Sequence, residues 1–165
     1  RAAGGQRTFF HHFATKEAVL FGGYEDRLRE VTAGVRDAAR FGTLWDGLYG
    51  ATISPVNAIE TQRDLFLVRG RLYRETPNLR ATMLRVNEDW IDNITQIVAE
   101  RLHLDPETNV GPRLAATVAN GANRVAIDLW TASSGQLDLG TLAQRSFTTI
   151  KPTIDAIEQT AGADR

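Results

Sequence analysis

PNLRATMLRVNEDWIDNITQIVAERL, residues 77–102, carries the clearest periodicity in the chain. Leu79, Met83, Val86, Trp90, Ile94, Ile97 and Val98 recur at steps of three and four, with Arg, Asn, Asp and Glu on the opposite side. That is the repeat of an amphipathic helix, since residues three and four apart share a face. Alternation of the kind that builds a strand is sustained nowhere, so the fold class expected is all-α.

Working outward, the breaks in periodicity coincide with residues that stop or cap helices. Phe41-Gly42-Thr43, Ser54-Pro55, Thr76-Pro77, Leu104-Asp105-Pro106 and Ser133-Ser134-Gly135 all hold such residues. Proline forbids continuation, and Ser, Thr or Asp accepts from free N–H groups at a helix start. Helices are therefore predicted over 6–13, 16–39, 43–53, 58–75, 77–102, 110–132 and 139–160, with boundaries good to ~2–4 residues. Gly22-Gly23 and Pro152 are weak points inside two of them, and a bend is expected at Pro152, whose ring removes one hydrogen bond and collides with the preceding turn.

At 165 residues the chain has room for one compact unit, or for a small domain joined to a larger one. A hydrophobic fraction of 42% with 24% charged residues is that of a folding globular chain, not a disordered one. Apolar runs are broken by Arg, Asp or Asn well short of the ~18–20 residues of a membrane span, and a cytoplasmic location is expected. The absence of cysteine excludes disulfides, thiolate metal sites and thiol nucleophiles. Net charge is −1, but Arg1, Arg7 and Lys16 all precede the first acid, Glu17, so the N-terminal end is locally basic and suited to phosphates.

That basic end contains QRTFFHHFATKEAVL, residues 6–20. As a helix of two turns it is too short to stand alone. Phe9 and Phe13, four apart, share a face that can dock on a core, while Gln6, Arg7, Thr8 and His11 lie toward the other side or the exposed first turn. Thr15 can cap a following helix whose first turn holds Lys16 and Glu17, and free N–H groups there, beside Lys16, suit a DNA phosphate. A short recognition helix, a tight turn and a capped long helix form the second half of a helix-turn-helix domain.

In this order RTFFHHFATKEAVL resembles the signature of TetR-family bacterial transcriptional regulators, with Thr8, Phe9, Phe10, His12, Phe13, Thr15, Lys16, Glu17 and Leu20 at the diagnostic positions. The resemblance implies a helix-turn-helix DNA-binding remnant over 1–38, including a long linker helix, joined to an α-helical ligand-binding and dimerisation domain over 39–165. It implies that Gln6, Arg7, Thr8 and His11 face the major groove and that His12 and Lys16 hold backbone phosphates. Phe10 stands where the family often has Tyr, and can pack against sugar or a thymine methyl but cannot donate to phosphate. Family members begin with two further helices, and this chain opens at RAAGG, where the second should end. The expectation is that those helices precede Arg1 in the native protein, and that without them the chain binds DNA poorly.

Within 39–165, Phe66, Arg69 and Tyr73 fall at steps of three and four, flanking a guanidinium with aromatics. Such an arginine either meets a carboxylate of the protein or receives an anionic ligand. Met83, Asn87 and Trp90 set an amide among large apolar groups, and Asn120 and Arg124 lie one turn apart; together the eight are the candidate ligand pocket. The apolar stripes by themselves are more simply read as core. Ala115, Ala119, Ala122 and Ala126, with Gly121 beside them and Phe147, Ile150, Ile154 and Ile157 on the last helix, suggest a homodimer through the two C-terminal helices, packed as a four-helix bundle.

No phosphate loop, metal-ligand pair or nucleophile motif is present, so neither an enzyme nor a cofactor is expected. The function expected is a repressor that binds operator DNA as a dimer, two recognition helices ~34–36 Å apart, and is released by a small-molecule effector. DLFLVRGRLYRETPNLR, residues 64–80, also resembles, more weakly, regulators with acyl-coenzyme-A-like ligands, which implies an amphiphile with an apolar portion. The alternative is a helical dimerisation or ligand-binding module without DNA binding.

Overall fold

The computed structural model describes Arg29 and residues 32–37, 42–53 and 56–163. Helices predicted over 6–13 and most of 16–39 lie outside these, though 32–37 are helical as expected. Six helices follow: α1 (Leu44–Ile53), α2 (Val56–Thr61), α3 (Arg63–Glu75), α4 (Pro77–Leu102), α5 (Val110–Ala132) and α6 (Leu139–Ala163). Among the described residues there is no strand, and no helix is long and apolar enough to cross a membrane. The fold is all-α.

The helix starts follow from local chemistry. Thr43 and Asp46 cap α1 reciprocally: Asp46 N–H donates to Thr43 Oγ1 at 3.1 Å, and Thr43 N–H to Asp46 Oδ2 at 2.9 Å. The Thr43 hydroxyl, then the Thr43 N–H, holds the Asp46 carboxyl below the usual carboxylate range. Asn109 accepts from Gly111 N–H at 2.8 Å to open α5, and Asp138 from Thr141 N–H at 2.7 Å to open α6. A single extended residue, Thr76, separates α3 from α4, because Pro77 drives the residue before it out of helical conformation. His103 ends α4 in the left-handed conformation, at φ 55°, consistent with a helix-end role.

The helix predicted over 58–75 is two helices, broken at Gln62, where φ −108° and ψ 32° leave the helical region. The two pieces have different docking tasks. Val56 and Ile59 of α2 pack with Leu139 and Ala143 of α6, whereas α3 brings Gly70 against Thr131 of α5. A donation from Arg63 Nη2 to Gly135 O, 2.7 Å, ties the start of α3 to the α5–α6 turn. At Pro152 α6 continues without interruption, the proline lying on the exposed side, where the carbonyl it leaves unpaired can face solvent.

The centre is α5, which packs along α4 on one side and α6 on the other, with α1 laid on α6 and α3 across α4 and α5. One apolar cluster joins Val35, Leu44, Leu48, Ile94, Val98, Leu102, Ala115, Ala119, Phe147 and Ile154; a second joins Val56, Ile59, Ala126, Trp130, Leu139 and Ala143. This corrects the expected dimer face. Ala115, Ala119 and Ala126 are 0% exposed and Ala122 6%, and Phe147 and Ile154 are also sealed in the chain's own core, with Ile150 and Ile157 packed against it. The small side chains let α5 approach its neighbours within one protomer.

Candidate ligand cleft

Helix α4 is packed unevenly. Its second half buries Ile91, Ile94, Thr95, Ile97, Val98, Ala99 and Leu102; its first half buries only Leu79. The inward residues of that first half, Met83, Val86, Asn87 and Trp90, are all half-buried. On α3, which packs on α4 and α5, Phe66, Leu72 and Tyr73 are also half-buried, and on α5 Asn123 and Ile127 are in the same state. The packing of α4 is thus close along its second half and looser along its first.

Arg69 is the exception on α3, only 4% exposed, with its guanidinium carbon 5.2 Å from the centre of the Phe66 ring. That is a cation–π distance, with the positive charge buried between helices. Beside it Gly70 permits the closest helix approach in this region: a Cβ there would stand 2.3 Å from Thr131 Cγ2. The side chains flanking Arg69 therefore sit on a backbone pinned to α5.

Of the eight predicted pocket residues, Phe66, Arg69 and Tyr73 share one face of α3, and Met83, Asn87 and Trp90 share the half-buried face of α4. Phe66 packs against the second apolar cluster and Trp90 against the first, so the eight span both clusters. Asn120 and Arg124 are separated by burial: Asn120 is 7% exposed, Arg124 open to solvent. Hollows of about 410 Å³ and about 390 Å³ lie elsewhere, one walled by Glu60, Arg63, Trp130 and Asp138, the other by Asp92, Gln96, Glu107 and Arg113, and neither is lined by any of the eight. The candidate DNA contacts Gln6, Arg7, Thr8, Phe10, His11, His12 and Lys16 lie outside the described residues. Among the described residues, no three His, Asp or Glu side chains assemble as metal ligands.

Sequence reasoning missed the outward face of α5. Val110, Leu114, Val125 and Leu129 are 80%, 43%, 51% and 48% exposed, and with Thr117 and Gly121 they run along the side opposite the buried alanines. On α6 the exposed residues from Thr148 onward are Thr148, Thr149, Pro152, Thr153, Ala156, Gln159, Thr160 and Gly162, with the charges of the partly exposed Lys151 and Asp155 paired to each other at 2.6 Å. Steps of four among Val110, Leu114, Val125 and Leu129 were a usable signal, masked by the stronger alanine pattern on the other side.

Residues 42–155, over two-thirds of the chain, match the family model described as the MftR C-terminal domain, a TetR-type C-terminal domain. Searches among curated proteins and among solved structures return no match. An all-helical body packed around one central helix, preceded by the motif at 6–20 and matched over most of its length by this model, belongs to the TetR family of regulators.

Proposed function

We propose that the chain is a dimeric repressor released from operator DNA when an amphiphilic effector occupies the cleft between α3, α4 and α5. The observation that carries this reading is the half-buried apolar face of Met83, Val86 and Trp90 on α4, together with the buried Arg69 on the neighbouring α3. Apolar walls with a few polar groups are the usual composition of a small-molecule site. Asn87 and Arg69 supply those groups, with Arg124 at the rim. The charge around the site favours an anionic head on the effector: residues 63–85 hold Arg63, Arg69, Arg71, Arg74, Arg80 and Arg85 against only Asp64 and Glu75.

In this reading residues 1–38 belong to the DNA-binding unit, with Gln6, Arg7, Thr8 and His11 toward the bases, Phe10 against sugar or methyl, and His12 and Lys16 on phosphates. Residues 39–165 bind effector and dimerise, and the regulator works in the cytoplasm. The dimer forms through α5 and α6, but through their outer faces. An exposed apolar row on α5 and an exposed face of α6 rich in Thr, in a chain of which a quarter is charged, suit a self-complementary two-fold contact.

Selection of binding sites from random duplex DNA by the full-length protein tests the whole reading. Enrichment of an inverted repeat with half-sites about one helical turn apart is expected. Binding should fall steeply with salt, and less steeply in Lys16→Ala, which gives up a phosphate contact. Val125→Arg with Leu129→Arg should give a monomer in sedimentation, with DNA affinity lost as well. Failure to enrich any repeat leaves a ligand-binding or dimerisation module; a dimer that survives both arginines refutes the α5 contact.

A further inference from the structure

The hollow of about 410 Å³ beside the α5–α6 turn shares no residue with the predicted effector pocket, and its lining carries charges of both signs: Glu60 at the end of α2, Arg63 at the start of α3, and Asp138 just before α6. The turn that forms one side of it is closed by its own bonds. Ser134 and Gly135 follow α5 at φ 54° and 74°. Gly135 N–H donates back to Trp130 O at 2.8 Å and Ser134 N–H to Thr131 O at 3.0 Å, the pair of bonds that seals a helix end through left-handed residues. The Ser133 hydroxyl donates to Trp130 O at 2.8 Å and accepts from Leu137 N–H at 3.1 Å. Asp138 is fixed in turn as the cap of α6. The Thr141 hydroxyl, then the Thr141 N–H, holds its carboxyl below the usual carboxylate range, so it remains ionised.

Arg63 takes its place from the same turn. Glu60 stands three residues before it, the spacing at which a continuous helix pairs opposite charges, but the helix breaks at Gln62 between them. Arg63 Nη2 donates instead to Gly135 O at 2.7 Å. A Cβ on Gly135 would stand 2.8 Å from Arg63 Nη2 and 3.0 Å from its Cζ and Nε, so glycine is what leaves room for the guanidinium. Only one of the five N–H groups of that guanidinium is given to the turn. None of the ion pairs among the described residues involves Glu60, Arg63 or Asp138. Two carboxylates and one guanidinium thus line a single hollow without cancelling one another.

Fixed, unpaired charges around a hollow are complementary to a molecule that carries the opposite charges in the same number. We propose that this hollow is a binding site for a dibasic amino acid, whose two cationic groups meet Glu60 and Asp138 and whose carboxylate meets Arg63. Small-molecule sites span ~300–1,000 Å³, and a volume at the low end of that range suits a compact metabolite, where the apolar cleft suits an amphiphile. Gln136 adds an amide to the lining and Leu137, 47% exposed, an apolar surface for the methylene chain. A ligand held there touches α2, α3 and the α5–α6 turn together. All of the helices concerned contribute to the second apolar cluster, so occupancy should stabilise that end of the fold by mass action.

Isothermal titration of the full-length protein with L-lysine tests the site. Saturable binding, one molecule per chain, is expected with Kd ~1 mM or tighter. Cadaverine lacks the carboxylate and 6-aminohexanoate lacks the α-ammonium; each should bind about 10-fold more weakly than L-lysine, and L-glutamate more weakly still. Glu60→Gln, at an exposed position, should weaken L-lysine and cadaverine alike, by about 5-fold. Arg63→Gln should separate them: L-lysine weakens by about 10-fold, whereas cadaverine binds about 2-fold more tightly because a repelling cation is gone. Damage to the fold would weaken both probes, so the opposite responses belong to the charge of Arg63. Cadaverine binding the wild type as tightly as L-lysine overturns the proposal, and so does equal weakening of the two probes by Arg63→Gln. Absence of L-lysine binding at about 10 mM, ten times the expected Kd, overturns it outright.

Discussion

Replacing Gly70 by Ala separates two effects of opposite sign. In a helix interior Ala is favoured over Gly by about 0.5–1 kcal/mol, so propensity alone predicts a more stable protein. Packing predicts the reverse. The new methyl would stand 2.3 Å from Thr131 Cγ2, where ordinary contacts begin near 3.4 Å, and Thr131 is only 6% exposed. Thr131 cannot rotate away freely, because its hydroxyl donates to Ile127 O at 2.7 Å, and losing that bond in a buried place costs about 1–3 kcal/mol. Moving α3 outward instead is overpacking, again about 1–3 kcal/mol. The net expectation is a loss of about 1–2 kcal/mol, measured by urea unfolding at fixed protein concentration. Gly50→Ala is the matched control: it is exposed on α1 with nothing within 4 Å of the added Cβ, and should gain about 0.5–1 kcal/mol. Thr131→Ser deletes the clashing methyl, so adding it to Gly70→Ala should restore part of the loss, as neighbours that share a contact do not combine additively. If Gly70→Ala stabilises as much as Gly50→Ala, α3 does not rest on α5 as described, and the wall of the cleft is elsewhere.

Disrupting the α1 cap by Thr43→Ala should cost about 1 kcal/mol in the same unfolding assay, and Asp46→Asn somewhat less because the site is exposed. Since the Asp46 carboxyl is held below its usual range, its contribution is complete above pH ~4 and disappears as pH falls through the lowered value; the difference between wild type and Asp46→Asn should shrink over that window. A gap that widens on acidification contradicts the cap. Trp45 stacks on Tyr49 with ring centres 4.7 Å apart, yet its Nε1 is buried without a hydrogen-bond partner among the described residues. Trp45→Phe keeps a stacking ring and removes the unpaired donor, so stability should stay within about 1 kcal/mol of wild type; a loss beyond about 2 kcal/mol would mean the N–H is satisfied.

What sequence reasoning could reach was whatever a single helix encodes in itself. Pro77 opens α4 and Leu104-Asp105-Pro106 follows its end, signals that act locally, and the limits read from 77–102 are those observed. The break at Gln62 has no such signature; it arises because α2 and α3 rest on different helices, which only the assembled core dictates. The same distinction governs the site. Steps of three and four placed Phe66, Arg69 and Tyr73 on one face, but spacing carries no depth, and so Asn120 and Arg124 were paired although one is buried and the other exposed. The alanines of α5 mark close helix approach without saying whose helix approaches. Arg101 and Glu158, on α4 and α6, meet at 2.8 Å with no local pattern to join them at all.

The uneven packing bears on how such a molecule could move. Gly70 against Thr131 and Arg63 on Gly135 fasten α3 to α5 and to the α5–α6 turn, and the alanine face of α5 leaves no slack toward α6. The loosely held surface is the first half of α4, whose second half is anchored by Ile94, Ile97, Val98 and Leu102. Segments with few buried apolar contacts open at lower free energy than those with many, so thermal motion and ligand binding should both act on that half first. A stiff helix fixed along one half and free along the other has one soft motion, a swing of the free half against the fixed one. An effector need only contribute the few kcal/mol of differential affinity that typical coupling requires, because the remaining contacts already choose the direction.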